Sequence, residues 1–357
     1  MLKHLTILCL LLSTGARANP AEAERIRRGF ELSSEKWMLE MKLATTPEAR
    51  QEVIAKRPDP NAAATGLWSI IAPDLEKDWT IPYAAFFLGI SSNTTITDDS
   101  GTTKPAFVTE RQRILKTFSE THLEKPGITP FTIALIDSGE PQALSLLEKI
   151  ATENPDEATQ GIAALGAALL LKNLGDEPEL MAKRLNFLRD AIIKSADQAV
   201  GGTSVADIAS EELYIIRYLT KGREAPPLSG TDVANRPVRL SDFKGKTVVL
   251  LFWDAKSEET DRIIQLTNQL ATKYGEQPVT VLGVTPESAE RIRTLQGDGS
   301  ILWNNISDPA DKLAGEYRIG NRPAVFVIDA EGKIQYTGLP GSFVELTVDA
   351  LLNPEKK

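Results

Sequence analysis

Two hydrophobic rhythms divide the chain. From about residue 19 to residue 222, apolar residues recur at three- and four-residue spacing, the period of amphipathic helices. Residues 142–151, with Ala143, Leu144, Leu147, Ile150 and Ala151 in phase, predict one such helix, and residues 160–174 and 180–193 predict two more. The joints SGEPQ, TENPDEA and GDEPEL each put a proline at or near a helix start, where its missing N–H costs nothing. Short joints imply antiparallel neighbours, so the expected architecture is an all-α array, α-solenoid-like or an irregular bundle. No fixed repeat period emerges. The segment SSNTTITDDSGTTK, residues 91–104, is polar and aperiodic and reads as a mobile loop.

The stretch GREAPPLSGTDVANRP, residues 222–237, is rich in Pro, Gly and Asp and breaks the helical pattern. Beyond it the rhythm changes. Residues 247–253 form an apolar run of buried-strand length, 258–274 are helical, and VTVLGV at 279–284 is a second buried strand. Helices are expected at 287–295 and 310–317, strands at 324–328 and 333–337 around the turn DAEG, and a last helix at 344–352. This alternation predicts an α/β domain with a mixed central sheet. The expected partition is a signal peptide over 1–18, a helical domain over 19–222, a linker or entry loop over 223–237, and the α/β domain over 238–353.

The ends and the charge narrow the setting. The start MLKHLTILCLLLSTGARA has basic Lys3 and His4, an apolar run from Leu5 to Leu12, and small Ala16 and Ala18 in an A-x-A arrangement. It reads as a secretory signal cleaved near Ala18/Asn19, which implies a periplasmic or secreted protein. The single cysteine, Cys9, lies inside that run, preceded by Leu8 rather than the small residue of a lipoprotein site, so the mature chain is expected to hold no thiol. No later run of about 18 apolar residues predicts a transmembrane segment.

Net charge is −9 and becomes more negative once Lys3 and Arg17 are removed, which argues against a nucleic-acid partner. With His4 gone, His122 is the one remaining histidine, so His/Cys metal sites and His-dependent triads are nearly excluded. No loop has the D-x-[DN]-x-[DN]-G pattern, and neither metal nor cofactor is expected.

Within the second rhythm the order of motifs is specific. RPVRLSDFKGKTVVLLFW, a polar turn and helix, VTVLGV and RIGNRPAVFVIDAEGKIQYTGLPG resemble the TlpA-like thioredoxin-fold thiol-disulfide oxidoreductases of the redoxin group, over roughly residues 224–352. In that family an F-W pair precedes a turn carrying C-x-x-C, whose first cysteine becomes a thiolate at a helix N-terminus. Aligned on Phe252-Trp253, the two cysteine positions fall on Ser257 and Thr260, with Glu258 and Glu259 between them. Both sulfurs are absent. A serine hydroxyl cannot exchange with a disulfide, and a base such as His is missing from the domain.

The resemblance further implies a cis bond before Pro323, with the adjacent backbone pairing to an extended substrate segment. Arg322 then lies beside the groove as a contact, against the plainer alternative of a water-facing loop residue. Trp253 is expected either to floor the groove or to close the core, the more usual place for an aromatic ending a buried strand. Ser257 through Asp261 read as the first turn of a helix with Ser257 as N-cap, or as a non-thiol catalytic turn. Trp37, Trp68 and Trp79 are expected to pack helix against helix, and His122 to cap a helix end by charge.

The function these observations favour is a redox-inactive thioredoxin-like envelope protein. It binds a protein or peptide through its helical domain and the groove near Ser257 and Pro323. The alternatives are the family's thiol-disulfide or antioxidant role, which rests on the resemblance alone, or a non-thiol enzyme using the turn from Ser257 to Thr260.

Overall fold

The computed structural model describes residues 20–97, 100–175, 177–256 and 259–353. The expected signal peptide, with Cys9, lies outside them. The described chain forms two compact units, one of residues up to 175 and 182–207, the other mainly of residues from 208 onward.

The first unit is helical, as its 3.6-residue period predicts. Its helices are α1 (Pro20–Leu43), α2 (Pro47–Ile54), α3 (Pro60–Ile71), α4 (Ile81–Ser91), α5 (Val108–Thr121), α6 (Thr129–Ile136), α7 (Ala143–Glu153), α8 (Glu157–Lys172) and α9 (Pro178–Ser195). Proline opens α1, α2, α3 and α9, where no N–H is needed. Thr46, Asp59 and Asp156 cap α2, α3 and α8 with side-chain oxygens that accept backbone N–H bonds. Helices pack in the series α1, α3, α4, α6, α8, α7. Helix α8 is buried along most of its length because small residues let its neighbours close in: a Cβ on Gly161 would sit 2.3 Å from Oγ of Ser195 in α9. Trp68 and Trp37 pack against neighbouring helices as expected, whereas the ring contact of Trp79 is local, one turn along the chain. Trp68 meets Phe87 at 5.5 Å, Trp79 meets Tyr83 at 5.9 Å, and Trp37 donates to the Val53 carbonyl.

The segment read as a mobile loop carries a hairpin instead, β1 (Thr95–Thr97) paired with β2 (Thr103–Pro105). Its threonines satisfy β propensity rather than a hydrophobic period, so no alternation announced it. Buried Arg111 of α5 anchors its roots, with Nη1 donating to the carbonyls of Ser91 and Ala106 and Nε to Glu140 at 2.5 Å. A second small hairpin, β3 (Ala199–Val200) with β4 (Thr203–Ser204), ends the unit.

The second unit opens with α10 (Val205–Tyr218), most of which belongs to it, and the hairpin β5 (Ser229–Thr231) with β6 (Pro237–Arg239) inside the Pro/Gly-rich stretch. There follow β7 (Thr247–Phe252), α11 (Thr260–Lys273), β8 (Val279–Thr285), α12 (Ala289–Gly297), β9 (Asn304–Ser307), α13 (Lys312–Glu316), β10 (Ala324–Ile328), β11 (Ile334–Gly338) and α14 (Ser342–Leu352). The five-stranded sheet has the order β11-β10-β7-β8-β9, parallel from β7 to β9 and antiparallel across β10. This is the mixed sheet of a thioredoxin-like domain.

Alternate residues of each strand face opposite layers, as the two-residue period of a strand requires. Val248, Leu250, Phe252, Leu282, Val284, Phe326 and Ile328 pack with Tyr317 and Leu219 on one side. Val249, Leu251, Trp253, Val325 and Val327 pack with Ile263, Ile292, Val344 and Val348 on the other. Helix α10 is bolted to this domain, with the Tyr214 hydroxyl donating to the Glu316 carbonyl and Arg318 pairing with Glu211 at 2.6 Å.

Candidate functional site

Strand β7 ends at the candidate site, and its last residues are held before the turn begins. The Trp253 amide donates to the Val284 carbonyl at 3.1 Å, extending the parallel ladder by one residue. Its indole Nε1 donates to Oδ1 of Asn305 at 2.9 Å, while Nδ2 of Asn305 donates to the Trp303 carbonyl. The Trp253 ring meets Trp303 edge-on at 6.0 Å and is fully buried. Trp253 therefore presents no surface to a ligand. Of its two expected places it takes the core, because the last residue of a doubly covered strand is desolvated on both faces.

Between β7 and α11 the described residues 255, 256 and 259 form turn. Oδ1 of Asp254 accepts the Lys256 amide at 2.6 Å, an Asx-type closure that favours a turn over continued strand. The Thr260 hydroxyl, buried, donates to the Asp254 carbonyl at 2.9 Å and ties the far end of the turn to its start. Ser257 and Glu258, expected as N-cap and first helical residue, lie outside the described residues. The helix begins at Thr260, with an exposed Glu259 at the N-cap position and no side-chain cap bond; Asp261 stands in the first turn.

The bond between Arg322 and Pro323 is cis, as the resemblance implies. Ala324, next in the chain, pairs with Phe252, so the Arg322-Pro323 loop and the turn after Trp253 share one end of the sheet. Arg322 is not a water-facing loop residue. Its side chain is 15% exposed, Nη2 bonds Oδ1 of Asp311 at 2.5 Å, and Nε has no hydrogen-bond partner. Asp311 holds this position in the left-handed region, φ 53°. Gly338 pairs with Val325, which brings the next loop to the same end, where Leu339 and Phe343 are 68% and 70% exposed.

A groove of about 860 Å³ runs from Ala255 and Thr260 along α11 to Arg291 and Leu295 of α12, with amide side chains of Gln265 and Asn268 on its wall. Among the described residues no cluster of His, Cys, Asp and Glu converges to hold a metal ion, and no helix is long and apolar enough to cross a membrane.

His122 belongs to the other unit and stands at the C-terminal end of α5, as expected, with Nδ1 3.6 Å from Oδ1 of Asp78. It is fully buried, its Nε2 donating to the Leu75 carbonyl at 2.7 Å and its ring 4.5 Å from that of Phe118. Two residues of the site's frame escaped sequence reasoning. Asn305 sits in the polar run NNIS, which carries no strand period, and Asp311 in DPADKL reads as an ordinary helix start.

The AhpC/TSA family matches residues 221–337. This unit is a TlpA-like thioredoxin-fold domain. The thioredoxin-fold domain has relatives among the thiol-disulfide oxidoreductases named ResA. That of Bacillus cereus is 29% identical over 114 residues, 32% of this chain and 66% of the relative, so the chain spans about two thirds of that protein's length. That of Geobacillus kaustophilus is 27% identical over 149 residues, 42% of this chain and 83% of the relative. Among solved structures, the thioredoxin domain of a thiol-disulfide oxidoreductase from Bacteroides vulgatus is 28% identical. It is matched over 99% of its length and 38% of this chain, with a TM-score of 0.35.

Proposed function

We propose that this protein is a redox-silent member of the thioredoxin-fold redoxins. In this reading it binds a segment of another envelope protein or a peptide at the sheet end shared by the turn after Trp253 and the Arg322-Pro323 loop. One observation carries the reading: the chain's only cysteine is Cys9, so a domain similar to thiol-disulfide oxidoreductases contains no thiol. Disulfide exchange needs a thiolate to attack and a sulfur to hold the mixed disulfide. The frame that would present a substrate remains: cis Pro323, a turn closed by Thr260, and exposed Leu339 and Phe343 beside it.

The named relatives favour a second reading, a family-type thiol-disulfide role, with the thiols supplied by a partner. A non-thiol enzyme at the turn has less behind it. The Thr260 hydroxyl is buried and already donated to a carbonyl, and both histidines, His4 and His122, lie outside the domain.

The test is reduction of insulin disulfides under dithiothreitol. The natural chain should match the uncatalysed rate, and the double variant Ser257→Cys, Thr260→Cys should exceed it. A natural chain that accelerates the reaction sinks the proposal and supports the second reading. A double variant that stays at the background rate removes the argument that the substrate-presenting frame is intact.

A further inference from the structure

Resting on that docking reading, we propose that Arg322 reads a carboxylate of the docked segment, and that Asp311 occupies the same guanidinium as an internal stand-in until the segment arrives. The expected partner segment is thus acidic at the residue lying beside Pro323.

The argument starts from an asymmetry in the pair. Arg322 is 15% exposed and Asp311 56%, so the cation is largely removed from water while its anion is largely in it. Among the described residues the guanidinium makes one hydrogen bond, from Nη2 to Asp311, and Nε–H is buried with no acceptor. A guanidinium offers five donors in a planar fork and is matched by a carboxylate taken on two N–H groups at once. Here a largely desolvated fork is met by one oxygen. A buried donor left unmatched is costly and strengthens any acceptor that reaches it.

The position adds to this. Arg322 lies two residues beyond the Ala324–Phe252 pair, at the sheet end where the turn and the Leu339 loop meet. Asp311 is held there from a left-handed backbone, which an aspartate tolerates but does not prefer. Because its carboxylate is already mostly hydrated, Asp311 swings into water at little cost. A second carboxylate that engages both edges of the fork therefore displaces it. The exchange breaks one charge-assisted hydrogen bond and forms two, and no proton moves.

Asp311→Asn keeps the backbone, since Asn also accepts positive φ, and removes the competing charge. A random peptide library is selected against the full natural chain and against this variant. The strongest selected peptide is then measured by fluorescence anisotropy beside the same peptide with its acid changed to the amide. Selected sequences should be enriched in Glu or Asp, the amide form should bind about tenfold more weakly, and Asp311→Asn should tighten the acidic peptide by a similar factor. Arg322→Gln should erase the difference between acid and amide, and Arg322→Lys should restore only part of it. Thermal unfolding of each variant separates loss of binding from loss of fold. Binders that show no acid preference, or that ignore Arg322→Gln, overturn this inference and leave the docking reading standing. A library that yields no binder overturns both.

Discussion

The indole of Trp253 reaches over Gly283 to the side-chain carbonyl of Asn305, joining the end of β7 to β9 across the intervening strand at 2.9 Å. The bond exists because position 283 has no side chain. A Cβ there would lie 1.9 Å from Oδ1 of Asn305 and 2.8 Å from the Trp303 indole nitrogen. Gly283→Ala should therefore expel the Asn305 carboxamide and strand the Trp253 N–H, costing about 1–3 kcal/mol for the unmatched buried donor. Asn305→Ala should cost a similar amount with little strain. Urea unfolding followed by tryptophan fluorescence checks both, and an unchanged midpoint for Gly283→Ala would contradict the packing described.

Arg111 and Glu140 form a pair with side chains 7% and 9% exposed. Arg111→Ala should cost about 3–5 kcal/mol, since it leaves Glu140 as a buried charge and frees the carbonyls of Ser91 and Ala106. Replacing both residues with apolar ones of similar volume should recover much of the loss. Thermal unfolding of the two variants distinguishes a costly widowed charge from a pair that is itself stabilising.

Helix α10 should be required by the thioredoxin-fold domain. A fragment beginning at residue 203 keeps Tyr214 over the Glu316 carbonyl, the Arg318–Glu211 pair and Leu219 in the sheet core. A fragment beginning at residue 224 loses all three and should unfold at lower urea with a broader transition. Equal midpoints would show that α10 adds nothing.

Acid should loosen the closing helix. The Tyr274 hydroxyl bond, assisted by Lys273 and opposed by partial burial, holds the Asp349 carboxyl below its usual value of 3.8. The folded state therefore binds this proton less readily than the unfolded chain. Its contribution is complete above about pH 4 and fades as pH falls through the folded value. Asp349→Asn should flatten the acid limb of the stability curve by lowering neutral stability while leaving stability in acid unchanged, and the drop should be small because the pair with Lys273 is exposed to solvent. A stability-against-pH series on both proteins reads this out.

Much of the α/β domain was legible because its strands are buried and its helices amphipathic. Residues 324–328 match β10 at both ends, and 247–253 overshoot β7 by the one residue that continues its ladder as Trp253. What stayed hidden lacked a hydrophobic signature. Strand β9 begins Asn304-Asn305 and is specified by the Trp253 bond and pairing to β8; the β1–β2 hairpin is exposed on both faces, with Thr95, Thr97 and Thr103 on one and Ile96 and Lys104 on the other. At the site, the family frame named Thr260, Arg322 and Pro323, but not the choice of partner for each. The Thr260 hydroxyl closing on residue 254 and Arg322 turning to Asp311 depend on side-chain proximity across gaps of six and eleven residues, which no local pattern encodes.

The bond from Thr260 to the Asp254 carbonyl has a consequence for the surroundings in which the domain works. A turn closed by two sulfurs has an oxidised and a reduced form, and which one prevails follows the poise of the compartment. This turn has a single covalent state. With no thiol of its own to oxidise, the domain should bind a cysteine-free peptide equally in oxidising buffer and in the presence of glutathione or a stronger reductant.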